Sequence, residues 1–297
     1  MTNSCLLRAL IAAAVLLTAV PGCRMTRKPT LQSLELSQKY FHQADAAMRE
    51  GDSQQAESYV RQSLKRNPNS DDSRILYAKI LWEKNQRQQA IETLVPAASQ
   101  PDASAAVLLE ISQMYLSIPD LEHARYTIGK CVMKYPSNPD IWRVRAQYYE
   151  LRGNPEQAWA DLHHSLSLDR NQHNVRLDLA KSYLANNQPQ RALEAAQYVL
   201  TYAPTGEEPV SAFALEGRAF YALNRYPQAE SSFQIAAARN PSDPDVYFYL
   251  ASAQSKQGKY VQALASADEG LKIAPTHPGC RDVVNMIQTA AREATIR

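Results

Sequence analysis

The chain carries no block of like charge. Its 32 Lys and Arg stand against 30 Asp and Glu for a net charge of +2. The densest basic stretch, Arg61 to Arg66 (RQSLKR), is too short and too diluted to track phosphates, which takes cations gathered on one surface. Nucleic acid is not an expected partner. Long apolar runs are missing too: the stretch from Ala9 to Val20 has 12 residues, where a spanning helix takes about 20. There is no HExxH pattern, and the neighbours His163 and His164 have no carboxylate or Cys at ligand spacing, so no metal site is expected. The other four His are scattered, and no Ser or Cys sits in a nucleophile-elbow motif. Neither an enzyme, nor a cofactor, nor a small-molecule substrate is expected.

What is present is enough to fold. Hydrophobic residues make up 45% and charged residues 21%, which supplies a packed core and excludes the disordered class. The first 22 residues stand apart: one charge at Arg8, the run Ala9 to Val20, then Pro21 and Gly22. That is the length and order of a signal peptide, and residues 1–22 are set outside the fold. Val20-Pro21-Gly22-Cys23 resembles the lipobox of bacterial lipoproteins, with Pro21 where Ala or Ser is usual. The resemblance implies that Cys23 is lipidated, its thiolate taking a diacylglyceryl group and its new amino group a further acyl chain. One acyl chain binds weakly, at about 0.8 kcal/mol per buried methylene, and two or three make an anchor. Arg24, rather than Asp, after the Cys implies an outer-membrane lipoprotein facing the periplasm. The alternative is an ordinary secretory signal and a soluble periplasmic or secreted chain with Cys23 unmodified. Residues 23–36 then read as a tether with Arg24, Arg27 and Lys28 near the lipid and Pro29 discouraging helix. Without Arg8 the mature chain has 31 basic (32 minus 1) against 30 acidic residues, close to neutral.

From residue 37 the chain repeats itself. Trp142, Ala146 and Tyr149 recur at helical spacing, Gly153 interrupts, and Ala158, Leu162 and Leu166 recur again. Gly153 suits a left-handed closing position, Asn154 an N-cap, Pro155 a first turn, and Gln157 is placed to answer the cap. The same unit returns around Ala56, Ala90, Ala124, Ala158, Ala192, Ala229 and Ala263, the first five spaced by 34 residues. A small residue holds the eighth position of each unit (Ala44, Ala78, Ser112, Ala146, Ala180, Gly217, Ala251), because two helices crossing at about 8 Å leave room for little more than a methyl group. The fifteenth position holds Gly51, Asn85, Pro119, Gly153, Asn187, Asn224 and Gly258. Period, small residues and turn residue together resemble the tetratricopeptide repeat family. The resemblance implies an all-α, right-handed superhelical solenoid of seven helix-turn-helix repeats over 37–277, with residues 278–297 as a capping helix. Pro119 should make the third turn depart from the others. Between Ala192 and Ala229 the spacing grows to 37, placing an acidic insertion, TGEEP, at Thr205 to Pro209.

Family members bind segments of other proteins in a concave groove lined by the first helices. Carried onto this chain, that lining includes Phe41, Lys79, Trp82, Arg143, Gln147, Lys181, Leu184, Arg218, Tyr221 and Phe248. Cations alternating with apolar platforms suit a peptide with acidic and apolar side chains. The clamp that co-chaperone members use for a C-terminal carboxylate is absent: its positions read Phe41 and Asp45, Ile75 and Lys79, Leu109 and Gln113. Cys131 and Cys280 belong to units several repeats apart, on the order of 40 Å at about 8–10 Å per helix layer, so they should not pair. Cys131 is expected buried; Cys280 is expected exposed and able to link two chains. The functional expectation is a membrane-anchored scaffold of the cell envelope, in pilus, secretion or cell-wall assembly; the alternative is a soluble adaptor subunit.

Overall fold

The computed structural model describes residues 30–296, and every regular element among them is an α-helix. The leader, Cys23 and the tether as far as residue 29 lie outside the described residues. The chain divides into two compact units within α4 (Arg87–Ala98), one ending at Ala90 and the other running from Ile91.

The first unit holds α1 (Leu31–Arg49), α2 (Ser53–Arg66) and α3 (Asp71–Glu83). The tether expected to reach Leu36 is already helical from Leu31. Its cause is a cap: Thr30 Oγ1 accepts from the Ser33 N–H at 3.2 Å. The added turns are then held against α2, Ser33 Oγ donating to the Arg66 carbonyl (2.6 Å) and Ser37 Oγ meeting Ser63 Oγ (2.9 Å). Ser63 Oγ meets Ser73 Oγ in turn at 2.8 Å, so three buried serines join the three helices. Beside them Ala44, Ala56, Val60, Leu76 and Ile80 form the apolar core.

The second unit, after the rest of α4, is a stack of five hairpins. These are α5 (Ala105–Ser117) with α6 (Leu121–Lys134), α7 (Pro139–Leu151) with α8 (Pro155–Leu168), α9 (His173–Ala185) with α10 (Pro189–Tyr202), α11 (Val210–Ala222) with α12 (Tyr226–Arg239), and α13 (Pro244–Lys256) with α14 (Tyr260–Ile273). Helix α15 (Pro278–Ile296) closes it. These are helix-turn-helix hairpins, as the periodicity implies.

Each hairpin turn is closed by its own backbone. The residue after the fifteenth position donates to the carbonyl at the end of the first helix in all seven repeats: Asp52 to Ala47, Gln86 to Leu81, Asp120 to Tyr115, Asn154 to Tyr149, Gln188 to Tyr183, Arg225 to Phe220 and Lys259 to Gln254, at 2.8–3.0 Å. This is the longer bond of a Schellman motif, and it needs a left-handed residue at the turn. Gly51, Asn85, Gly153, Asn187, Asn224 and Gly258 supply it, with φ between 55° and 81°. Pro119 falls outside that range and has no N–H to give the shorter bond, so the third turn keeps only the longer one. In the fourth turn Asn154 Oδ1 accepts from the Gln157 N–H (3.3 Å), as expected of a cap. The Asn154 N–H that Gln157 was placed to answer is taken by the Tyr149 carbonyl instead. The inserted loop is latched to the next hairpin, Arg239 donating to the Glu208 carboxylate at 2.9 Å and to its carbonyl at 3.1 Å.

The small residues of both helices are buried throughout, from Ala44 and Ala56 to Ala251 and Ala263. Repeat six departs in a compensated way. Gly217 holds the eighth position, and a methyl group there would sit 2.7 Å from Cε1 of Phe233, whose ring is fully buried. The corresponding residue is Leu162 in repeat four and Ala196 in repeat five, each facing an alanine at the eighth position. The terminal helix uses the same device twice. Phe248 lies over Gly279, where a methyl group would be 2.6 Å from the ring, and Cys280 Sγ occupies the space a methyl group on Gly270 would need, 2.6 Å away. Cys280 is thus buried, against the expectation of an exposed thiol, because α15 turns it onto α14. Burial pushes both thiols up, Cys131 to about 11 and Cys280 to about 11.

Gly217→Ala is expected to lower stability by about 1–3 kcal/mol through overpacking, and Phe233→Leu to lower it through lost volume. The pair together should recover part of the loss, which a double-mutant cycle in urea reads directly. Native protein treated with iodoacetamide at pH 8 should keep both thiols free while unfolded protein is alkylated at both; intact mass distinguishes the two.

Candidate functional site

Positions five, nine and twelve of a first helix lie about one turn apart on one stripe, so successive repeats bring their stripes side by side. In the first unit that stripe holds Phe41, half-buried against the core with its ring edge to His42 (5.5 Å), and Trp82, under the Arg87 guanidinium at 5.6 Å. Lys79 is exposed between them in sequence.

In the second unit the stripe runs over α7, α9, α11 and α13, and two of its cations, Arg143 and Lys181, share one carboxylate. Arg143 Nε donates to Asp178 Oδ2 at 2.6 Å, and Lys181 Nζ lies 3.6 Å from the other oxygen of the same carboxylate. Asp178 follows Arg143 by 35 residues, one more than the repeat period, and the contact joins two neighbouring first helices. Glu150 stands beside them. Displacement of water by the surrounding protein raises its carboxyl, Ser182 and Lys181 oppose that, and Asp178 adds to it. Gln147 is half-buried on the same helix, and Ser182 is held by an indole N–H from Trp159 at 2.9 Å.

Two recesses flank the Arg143–Asp178 pair. One, of about 360 Å³, is lined by Asp140, Arg143, Asn171, His173, Asn174 and Pro209 among others. The second, of about 330 Å³, is lined by Glu150, Lys181, Ser182 and Asn186 with the turn at Gly153 and Pro155. Each has the volume of one or two side chains. Both present amide, carboxylate and cationic groups, the chemistry that holds a peptide backbone by hydrogen bonds.

Further along, the stripe turns aromatic. The Arg218 guanidinium lies 5.3 Å from the Tyr249 ring centre. Tyr221 meets Tyr226 (5.4 Å) and Tyr249 (6.4 Å) edge-on, and burial raises its phenol. Leu184 is half-buried between α9 and its neighbours. Phe248 departs from the expectation: it packs on Gly279 and beside His277 (6.0 Å), so the terminal helix has claimed it as a next first helix would.

Sequence reasoning missed Asp178 and Tyr249. Asp178 falls at the sixth position, off the stripe on its own helix, and only the lateral offset between repeats brings it to Arg143. The two histidines that were set aside as metal ligands have ordinary partners: His163 Nε2 lies 3.0 Å from the Tyr183 hydroxyl, and the His164 ring meets Trp142 edge-on at 4.1 Å. Burial lowers the His163 pKa, with Arg191 and Arg176 adding to it. Among the described residues no group of three or more His, Cys, Asp and Glu is placed to hold a metal ion, and no helix is long and apolar enough to cross a membrane.

Two tetratricopeptide repeat models match the chain, over residues 47–110 and 214–278. Among solved structures, a tetratricopeptide repeat protein from Parabacteroides merdae superposes with a TM-score of 0.62 at 12% identity, covering 86% of this chain and 99% of the other. Yeast Tom70 gives 0.64 at 14% identity over 89% of this chain and 55% of its own. A thermophilic tetratricopeptide repeat protein of Thermus thermophilus gives 0.54 at 20% identity over 63% and 99%. These likenesses establish the fold. One curated relative, the human protein O-mannosyl-transferase TMTC1, is 22% identical over 179 residues, which are 60% of this chain and 20% of that protein. The chain therefore spans about a fifth of the length of the curated relative it matches.

Proposed function

We propose, for a chain that belongs to the tetratricopeptide repeat family, a non-catalytic adaptor of the bacterial cell envelope, lipid-anchored at Cys23, that holds an extended segment of another protein across the first helices of its second unit. Repeat proteins of this family mediate contacts between proteins. The observation that carries the finer reading is the face built by α7, α9 and α11. Two recesses of side-chain size lie on either side of the Arg143–Asp178 pair, with Lys181, Arg218 and Tyr221 beyond. Because Asp178 already neutralises part of the cationic charge, the face suits a segment of mixed polarity, its backbone bound by Asn and Gln side chains and its acidic groups met by Lys181 and Arg218. The anchor rests on the sequence from Val20 to Cys23 alone, and with it the placement in pilus, secretion or cell-wall assembly. A soluble adaptor with Cys23 unmodified is the second reading, and the Pro at position 21 is what favours it.

Charge reversal of Lys181 and Arg218 together is expected to weaken capture of envelope partners at least tenfold in crosslinking pull-downs while leaving the protein folded, as helical circular dichroism reads; undiminished capture removes the face from consideration. Expressed in its native host, the chain should gain a lipid-sized mass increment and sediment with membranes, and Cys23→Ser should abolish both. A wild-type chain without lipid, soluble like the mutant, selects the second reading.

A further inference from the structure

A larger groove lies elsewhere on the second unit, between the second helix of repeat three and the first helix of repeat four. Its volume is about 520 Å³. Ile128, Val132, Tyr148 and Tyr149 form its apolar walls, and Tyr126 and Met133, 69% and 81% exposed, stand at its edges. Exposed beside apolar walls, they extend a contiguous apolar patch of the kind that marks an interaction site.

Gly129 sits among them, and nothing in the chain accounts for it. It lies in the middle of α6 with helical backbone, so no left-handed conformation calls for a glycine. A methyl group added there would meet nothing within 4 Å. The contrast with Gly217, Gly270 and Gly279 is direct, since each of those is required by a side chain packed on it. A glycine in a helix interior weakens the helix. At this position it also bares backbone at the floor of an apolar groove, which lets an incoming group come closer than any side chain would allow.

The ionisable groups lining the groove, apart from the tyrosines, are Arg125, Lys130 and Arg145, with no carboxylate among them. Arg145 is neutralised by a two-pronged bond to Asp161 (2.6 and 2.7 Å). Arg125 has only a distant, exposed partner, Glu122 at 3.9 Å. Lys130 gives one N–H to the Ala98 carbonyl and keeps its charge, 5.9 Å from the Tyr126 ring centre. The uncompensated charge is positive and lies beside the apolar floor.

We infer that this groove is a second docking site, distinct from the first-helix face, for a partner peptide that seats one large apolar side chain over Gly129 and sets carboxylates beside it against Arg125 and Lys130. The probe is a fluorescein-labelled nonapeptide with a central Phe flanked by Glu, read by anisotropy against the mature chain, beside versions with Ala for Phe and with Lys for Glu. The parent peptide should bind, and each altered peptide should bind at least tenfold more weakly. Gly129→Leu should raise the melting temperature and abolish binding, because it strengthens the helix while filling the floor. Lys130→Glu should weaken binding, and reversal of Lys181 and Arg218 should leave it unchanged, which separates this site from the first-helix face. The proposal is overturned if the parent peptide does not bind, if it binds Gly129→Leu as well as wild type, or if the Lys version binds equally. It is also overturned if sedimentation shows self-association that Gly129→Leu removes, since the occupant would then be a second copy.

Discussion

The structure depends on how closely two helices can approach. Within each hairpin the eighth residue of one helix and the twentieth position of the repeat are both small and fully buried, and a helix pair held at this separation can carry larger side chains only to either side of the crossing. Apolar burial supplies the energy, at about 25 cal/mol per Å², but the crossing decides where the large side chains go. The first-helix stripe is one outcome, because the positions left over when the core has been assigned are those at which Arg143, Lys181 and Arg218 emerge. The second-helix groove is another, since Tyr126 and Met133 occupy positions that no neighbouring helix covers.

Backbone closure makes each hairpin a local event. The left-handed turn and its longer hydrogen bond involve only residues within six of one another, so the hairpin is specified before any repeat meets the next. That explains why the fold was legible in the sequence. Glycine, asparagine and alanine at fixed offsets are direct requirements of φ and of volume, and both act at short range. Thr30 shows the limit, since a single cap lengthened α1 beyond what periodicity indicates.

The site was legible as a stripe and obscure as a surface. Which helix face carries Arg143 follows from helical phase; what that arginine touches depends on the lateral offset between neighbouring repeats. Asp178 is therefore invisible until the helices are placed, and with it the pairing that neutralises part of a cationic row. Phe248 and Cys280 fail for a related reason. Phe248 was assigned by its position within an internal repeat and Cys280 to an open terminal cap, but α15 takes the role of a next repeat, packing on Phe248 and turning Cys280 onto α14.

The exchange at Gly217 and Phe233 shows how a repeat takes a large side chain into its crossing. At this crossing the two sides are matched to each other, the eighth position giving up its methyl group where the facing helix carries a ring, while repeat five has an alanine on both sides. A substitution at either side is penalised alone and tolerated as half of a pair, so drift at such a seam proceeds in coupled steps. Columns compared one at a time will then look more divergent than the packing they encode, because a letter at such a seam has meaning only beside its partner.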